Sequence, residues 1–190
     1  MIQTRIAIFA SGTGSNALTI IEHFREHSSI AVACILTNNP NAKVIEKTQA
    51  FGIPQVICTN EEAASGTFLI EKCAQLKVDF IILAGYLRKI PVSLIQAFPE
   101  RIINVHPALL PKFGGKGMYG MHVHQAVFEQ KETVSGITIH FVNEEFDKGR
   151  IIAQFECQID ATDTPEVIQH KVQKLEHTHF ATVIEKIVTP

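Results

Sequence analysis

Few features of this 190-residue sequence betray a function through composition alone. It has no long run of one charge sign, and its formal net charge is −2. Binding to nucleic acid or to an anionic membrane by bulk charge is therefore not indicated. An acidic or phosphorylated small molecule needs only one local site, so it stays open. No stretch reaches the roughly 18 apolar residues of a membrane-spanning helix. The N-terminal "MIQTRIAIFASGTGSN" holds an apolar run of only about five residues before a glycine loop, too short for a signal peptide. A cytoplasmic protein is expected. Cys34, Cys58, Cys73 and Cys157 lie far apart without a CxxC pair, which argues against a zinc knuckle or redox motif and for buried, reduced thiols. The nine His residues contain no HExxH, and no metal site is expected. His122 and His124 read as surface or loop residues, and His170, His177 and His179 on the last helix lack a defensible carboxylate ligand set. There is no G-x-S-x-G elbow, no internal repeat, no low-complexity tract and no linker.

What is there is an alternation. "RIAIFAS" (Arg5 to Ser11) is almost continuously apolar, as a strand buried on both faces should be. A helical stretch follows the glycines, with Leu18, Ile21 and Phe24 at helical spacing. Further strands are read at Ile30–Asn39, Ile53–Cys58, Val78–Tyr86 and Arg101–His106. Between them lie helices at Ala42–Phe51, around Phe68–Leu76, and at Pro91–Phe98. Repeated strand–helix order predicts a doubly wound, mostly parallel sheet with helices on both faces. After a short helix in "HVHQAVFEQ", Val134–Asn143 and Arg150–Asp160 form a close pair joined by "EEFDKG". They should be antiparallel and extend the sheet at one edge. A long helix closes the chain from Pro165 to about Val188, capped by Asp163 or Thr164. The expectation is one α/β domain over residues 1–190.

Three places could carry chemistry. "ASGTGSN" (Ala10 to Asn16) follows the first strand and opens the first helix. Gly12 and Gly14 permit close backbone approach, and Ser15 and Asn16 fall where free N–H groups and the helix dipole favour an anion. The spacing is neither G-x-G-x-x-G nor a P-loop. A single phosphate and a plain capped turn remain equal readings. In "NVHP", Asn104 and His106 are two apart on a strand and so share a face. They sit at the carboxyl end of that strand, where parallel sheets place ligands. An Asn amide can donate to an oxyanion and a His can hold a proton. Against this, a lone strand-end His is commonly structural. Asp147, in "EEFDKG", could orient the imidazole or serve only as a turn residue before Gly149.

These segments, in order, resemble the phosphoribosylglycinamide formyltransferase family. "ASGTGSN" is similar to its phosphate loop, and "DFIILAGYLRKI" to its central strand and folate-contacting turn. "INVHPALLPKF" is similar to its Asn-x-His-Pro-x-Leu-Leu-Pro signature, "GITIHFVNEEFDKGRII" to its Asp-bearing loop, and "QKLEHTHF" to part of its last helix. The resemblance covers nearly the whole chain. It implies transfer of the formyl group of 10-formyltetrahydrofolate, a co-substrate, to the glycine amine of 5'-phosphoribosylglycinamide in purine synthesis. Gly14, Ser15, Asn16 and Glu176 would hold the phosphoribosylglycinamide. Asn104, His106 and Asp147 would be catalytic. Leu87, Arg88, Ile90, Asn104 and Val142 would line the folate pocket. The phosphate half would span about residues 1–100 and the catalytic half about 101–190. Partners would be small molecules, with no nucleic acid, membrane or metal, in a monomer or homodimer. A cis Leu110–Pro111 bond is expected from the signature.

The sequence departs from the family twice. Where members often carry a folate-contacting Arg, it has the small, acidic "NEEAASG" (Asn60 to Gly66). Its "GGKGMYGMH" loop (Gly114 to His122), with Lys116 and Tyr119, is longer than in many members. Two related enzymes and one non-enzyme compete. Formyltetrahydrofolate hydrolase usually adds an N-terminal regulatory domain, and methionyl-tRNA formyltransferase a C-terminal basic one. A non-catalytic nucleotide-binding module would explain the glycine loop but leave Asn104, His106 and Asp147 without a common purpose.

Overall fold

The computed structural model describes residues 3–189. Its centre is a seven-stranded sheet in the order β3-β2-β1-β4-β5-β6-β7. β1 (Thr4–Phe9) pairs in parallel with β2 (Ile30–Thr37) and β4 (Phe80–Leu83). β3 (Gln55–Ile57) and β5 (Ile102–His106) continue the parallel run on either side. β6 (Val134–Phe141) is antiparallel to β5, and β7 (Ile151–Gln158) is antiparallel to β6.

The continuous apolar run of β1 is explained by layers on both faces. Ile6 and Ile8 join a core with α1 (Ser15–Phe24) and α7 (Pro165–Val188). Ala7 and Phe9 point the other way, to a core with α4 (Gly66–Gln75) and α5 (Val92–Ala97). All four β1 residues are fully buried. Each such Ile or Phe contributes roughly 1.5–3 kcal/mol by leaving water. α2 (Lys43–Gln49) and α6 (Met121–Glu129) complete the first layer through Val44 and Val127.

Several expectations shift in detail. α1 buries Ala17, Ile20, Ile21 and Phe24, the i, i+3, i+4, i+7 set of one helix face. Leu18 lies one step round from that stripe and is only half-buried. β4 is shorter than the apolar run because the chain turns off the sheet after Leu83, with Gly85 at φ 76. A five-residue helix α3 (Asn60–Ala64) was not anticipated; Thr59 and Glu62 cap it reciprocally. Thr164, not Asp163, caps α7 by accepting from the Val167 N–H. Asp163 instead pairs with Lys171. Cys34, Cys58 and Cys73 are buried and Cys157 is half-buried, all as free thiols. Burial pushes the Cys34 and Cys73 thiols up to about 12, so they stay protonated and unreactive. Leu110–Pro111 is cis.

The order of strands reverses between β1 and β4. From β1 the chain winds outward through β2 to β3, then returns to β4 and winds the other way. The crevice above the carboxyl ends of such neighbours is where open α/β sheets bind ligands. Here the Ser11 N–H donates to Gly85 O at 3.1 Å and the Leu87 N–H to Ser11 Oγ at 3.2 Å, tying the two loops together.

Candidate active site

A cavity of about 390 Å³ occupies that crevice. Its walls are the β1–α1 loop, the turn after β4, the ends of β5 and β6, the glycine loop before α6, and one face of α7. The volume lies within the usual range for small-molecule sites. Among the described residues, no cluster of three His, Cys, Asp or Glu side chains is placed to hold a metal ion.

The β1 end is built from backbone. Gly14 precedes α1 at φ 76, and a Cβ there would meet Val44, backbone included, at 2.7–2.8 Å. Both the left-handed turn and the close approach of α2 therefore require glycine. Gly12, by contrast, is not left-handed, and a Cβ there would meet nothing within 4 Å. The first intrahelical bond runs from Leu18 N–H to Gly14 O, so the N–H groups of Ser15, Asn16 and Ala17 have no helical acceptor. Two side chains of α7 reach this turn. Gln173 Nε2 donates to Ser15 Oγ at 3.2 Å, and Asn16 Nδ2 donates to Glu176 Oε2 at 2.8 Å. Burial raises the Glu176 carboxyl, partly offset by the Asn16 hydrogen bond. Gln173 was missed from sequence, although it lies one helical turn before Glu176.

The β5–β6 end is built from buried side chains. Asn104 and His106 both line the cavity, as their two-residue spacing predicts. Asn104 is paired across the sheet with His140 on β6. His140 Nδ1 donates to Phe141 O at 2.8 Å, which leaves Nε2 to accept from Asn104 Nδ2 at 3.0 Å. Burial lowers the pKa of His140, consistent with that neutral tautomer. Asn104 is thus oriented, with one amide hydrogen spent and the other free. His106 is 3% exposed. Its Nε2 donates to Phe113 O at 2.8 Å, and its Nδ1 faces Asp147 Oδ2 at 3.6 Å. Burial lowers the His106 pKa, while Asp147 and the Phe113 carbonyl oppose that shift without cancelling it. Asp147 Oδ1 is 3.8 Å from His140 Nε2, and Oδ2 also accepts the Gly115 N–H at 2.9 Å.

Glu176, the Gly14–Asn16 turn and the Asn104, His106, Asp147 group all border one cavity. Leu87, Arg88, Ile90 and Val142 line it too. His124 departs from its expected surface role. It is 3% exposed and lines the cavity, and its Nδ1 has no hydrogen-bond partner among the described residues. Burial, with His106 nearby, pushes its pKa down to about 4. His122, in contrast, is exposed and stacks on Tyr119, with ring centroids 5.2 Å apart. His140 escaped sequence reading because its role depends on strand register.

A helix start whose first backbone N–H groups lack a helical acceptor faces an oriented amide and a carboxylate-backed imidazole across one cavity. That arrangement suits acyl transfer without a covalent enzyme intermediate. Residues 4–184 match the pattern of the formyl transferase family, and the chain belongs to that family. Its relatives narrow the comparison. The chloroplastic phosphoribosylglycinamide formyltransferase of Arabidopsis thaliana is 43% identical over 189 residues, covering 96% of this chain and 65% of the relative. The Vigna unguiculata counterpart is 40% identical, with 96% and 60% covered. The chain thus spans less than two thirds of these two plant relatives. The Bacillus subtilis phosphoribosylglycinamide formyltransferase is 40% identical, with 97% of this chain and 94% of the relative covered. Among solved structures, glycinamide ribonucleotide transformylase 1 of Geobacillus kaustophilus superposes with a TM-score of 0.90 at 29% identity, covering 98% of this chain and all of that one. The Bacillus halodurans phosphoribosylglycinamide formyltransferase gives 0.88 at 34% identity, with 98% and 96% covered.

Proposed function

We propose that this chain transfers the formyl group of 10-formyltetrahydrofolate to the glycine amine of 5'-phosphoribosylglycinamide. The observation that carries this reading is the meeting of Asn104, His106 and Asp147 on a cavity shared with the Gly14–Asn16 turn and Glu176. The relatives' names supply the acceptor and the formyl group, and the folate donor comes from the motif resemblance.

In this reading the phosphate lies on the N–H groups of Ser15 and Asn16, and Glu176 receives the glycinamide or ribose. Leu87, Arg88, Ile90 and Val142 border the folate. The amine nitrogen attacks the formyl carbon, and the carbonyl oxygen becomes an oxyanion. Asn104 donates its free amide hydrogen to that oxygen, because His140 holds the other one. His106 takes the amine proton at Nδ1. There the new imidazolium faces Asp147, and Nε2 keeps its bond to Phe113 O. Collapse of the intermediate breaks the bond from the formyl carbon to the folate N10, and the proton moves on to N10. The lowered His106 pKa keeps the imidazole free to accept that proton near neutral pH.

The deciding assay follows formyl loss from 10-formyltetrahydrofolate with and without phosphoribosylglycinamide. Turnover that requires the amine is expected. Equal loss without it would replace transfer by hydrolysis, and no loss under either condition would sink the reading.

A further inference from the structure

Outside the cavity, one group of hydrogen bonds ties the outer strands to the loop that leaves β5. Thr138 on β6 is fully buried. Its hydroxyl accepts the Leu110 N–H at 2.9 Å and donates to Ala108 O at 2.7 Å. Gln154 lies opposite Thr138 on β7. Its Nε2 donates to Thr138 Oγ1 at 2.9 Å and to Leu110 O at 3.0 Å. Both amide hydrogens are thus in use, and both main-chain groups of Leu110 are held. The Leu110 side chain lies against Gly114. Three residues after Leu110 comes Phe113, whose carbonyl accepts from His106 Nε2, and then Gly115, whose N–H donates to Asp147. Gln154 itself is exposed and does not line the cavity.

We propose that Gln154 is a positioning residue for His106 and Asp147, acting through Leu110 on the Phe113 carbonyl and the Gly115 N–H. The proposal rests on the transferase reading above and adds a residue to it. His106 and Asp147 are held by main-chain groups of residues 113–115. Those groups lie where the Ala108–Leu110 segment delivers them, and that segment is anchored on β6 and β7. Without the Gln154 amide, Leu110 O loses its donor and Thr138 one of its three partners. The route from Leu110 to Gly115 then slackens. A displacement of about 1 Å at reacting groups is enough to slow chemistry.

The test uses Gln154→Met, which keeps the length of the side chain and removes both hydrogens. It should lower kcat about fivefold, the scale of one lost hydrogen bond, with KM for either substrate little changed. A second readout separates positioning from packing. His106 is faced by Asp147 from the β6–β7 loop, His140 from β6 and His124 from α6. Asp147 and the Phe113 carbonyl hold its pKa up against burial. Slackening either contact lowers that pKa further, whereas loosened packing admits water and raises it. In NMR titrations of ring-labelled protein, His106 should therefore titrate at lower pH in Gln154→Met than in the wild type. Gln158→Met makes the same change on the same strand, opposite Val134, and should move neither readout. An unchanged kcat, a His106 titration that stays put or moves upward, or an equal response in Gln158→Met would overturn the proposal. If the wild-type chain transfers no formyl group, the transferase reading falls by itself, and the titration alone decides whether Gln154 positions His106.

Discussion

At the β5–β6 end of the cavity, the polar side chains are already engaged, with one another or with main-chain groups. Asn104 is bonded to His140, His140 to the Phe141 carbonyl, His106 to the Phe113 carbonyl, and Asp147 to Gly115. At the β1 end, the useful donors are backbone N–H groups left open by the start of α1. The first end is buried and its geometry is preset, as stabilising a developing charge demands. The second leaves its donors without helical acceptors, and in the proposed function a ligand completes them. Substitutions at the two ends should therefore fail differently: turnover falls at one, affinity at the other.

The largest effect is expected from His106→Ala and Asp147→Asn. Each should lower kcat on the order of 10²–10⁴-fold with KM for either substrate little changed. Single-turnover rates with melting curves check this, since the fold should persist. Near-normal kcat in both variants would erase the contrast between the ends.

The next effect belongs to the buried histidines as a group. His106, His124 and His140 all have pKa values lowered by burial. Well above pH 6.5 neither the folded nor the unfolded chain protonates them. As pH falls below 6.5, the unfolded chain takes up protons that the folded one refuses, down to about pH 4 for His124. Stability should therefore decline across that window, by on the order of 3 kcal/mol for His124 alone. Urea unfolding at stepped pH measures the slope, and His124→Gln should flatten it. An unchanged slope in that variant would assign the acid sensitivity to other groups.

A smaller loss is expected from His140→Leu. Asn104 would keep its amide but lose the acceptor that aims it, lowering kcat roughly 10–100-fold. Restoration by His140→Gln, whose amide oxygen can accept the same bond, separates aiming from mere packing. The smallest effect is at the other end. Ser15→Ala or Asn16→Ala should raise KM for phosphoribosylglycinamide about 5–10-fold with kcat nearly intact, because each removes a side chain and spares the backbone donors. A kcat loss there instead would blur the two ends into one unit.

How much of this was legible depended on how local each feature is. The β1 strand and the Asn104–His106 face follow from a period of two, and the wound sheet follows from alternation. Asp147 was nominated by family resemblance, since forty residues of chain separate it from His106. His140 was illegible, because one polar residue in "ITIHF" acquires meaning only once Asn104 lies opposite it. That register is set between β5 and β6, across the whole glycine loop and α6. His124 misled because its helix is short and its burial comes from what packs over it. The α3 cap was readable, since Thr59 and Glu62 have capping-box spacing, but five residues carry too little periodicity to announce a helix.

The three residues Phe113 to Gly115 take on a role that their side chains do not express. The carbonyl of the first holds His106, and the N–H of the third holds Asp147. Both groups belong to the main chain, so a side-chain replacement deletes one outright only where proline removes the Gly115 N–H. In the proposed reaction the proton-handling pair is thus wired to the route of the loop. The stretch is also constrained in composition: Phe113 at φ 56 and Gly115 at φ 98 are left-handed, and a Cβ on Gly114 would meet Leu110 at 2.5 Å. An insertion or deletion that bends the route would disarm His106 and Asp147 with both residues still in place.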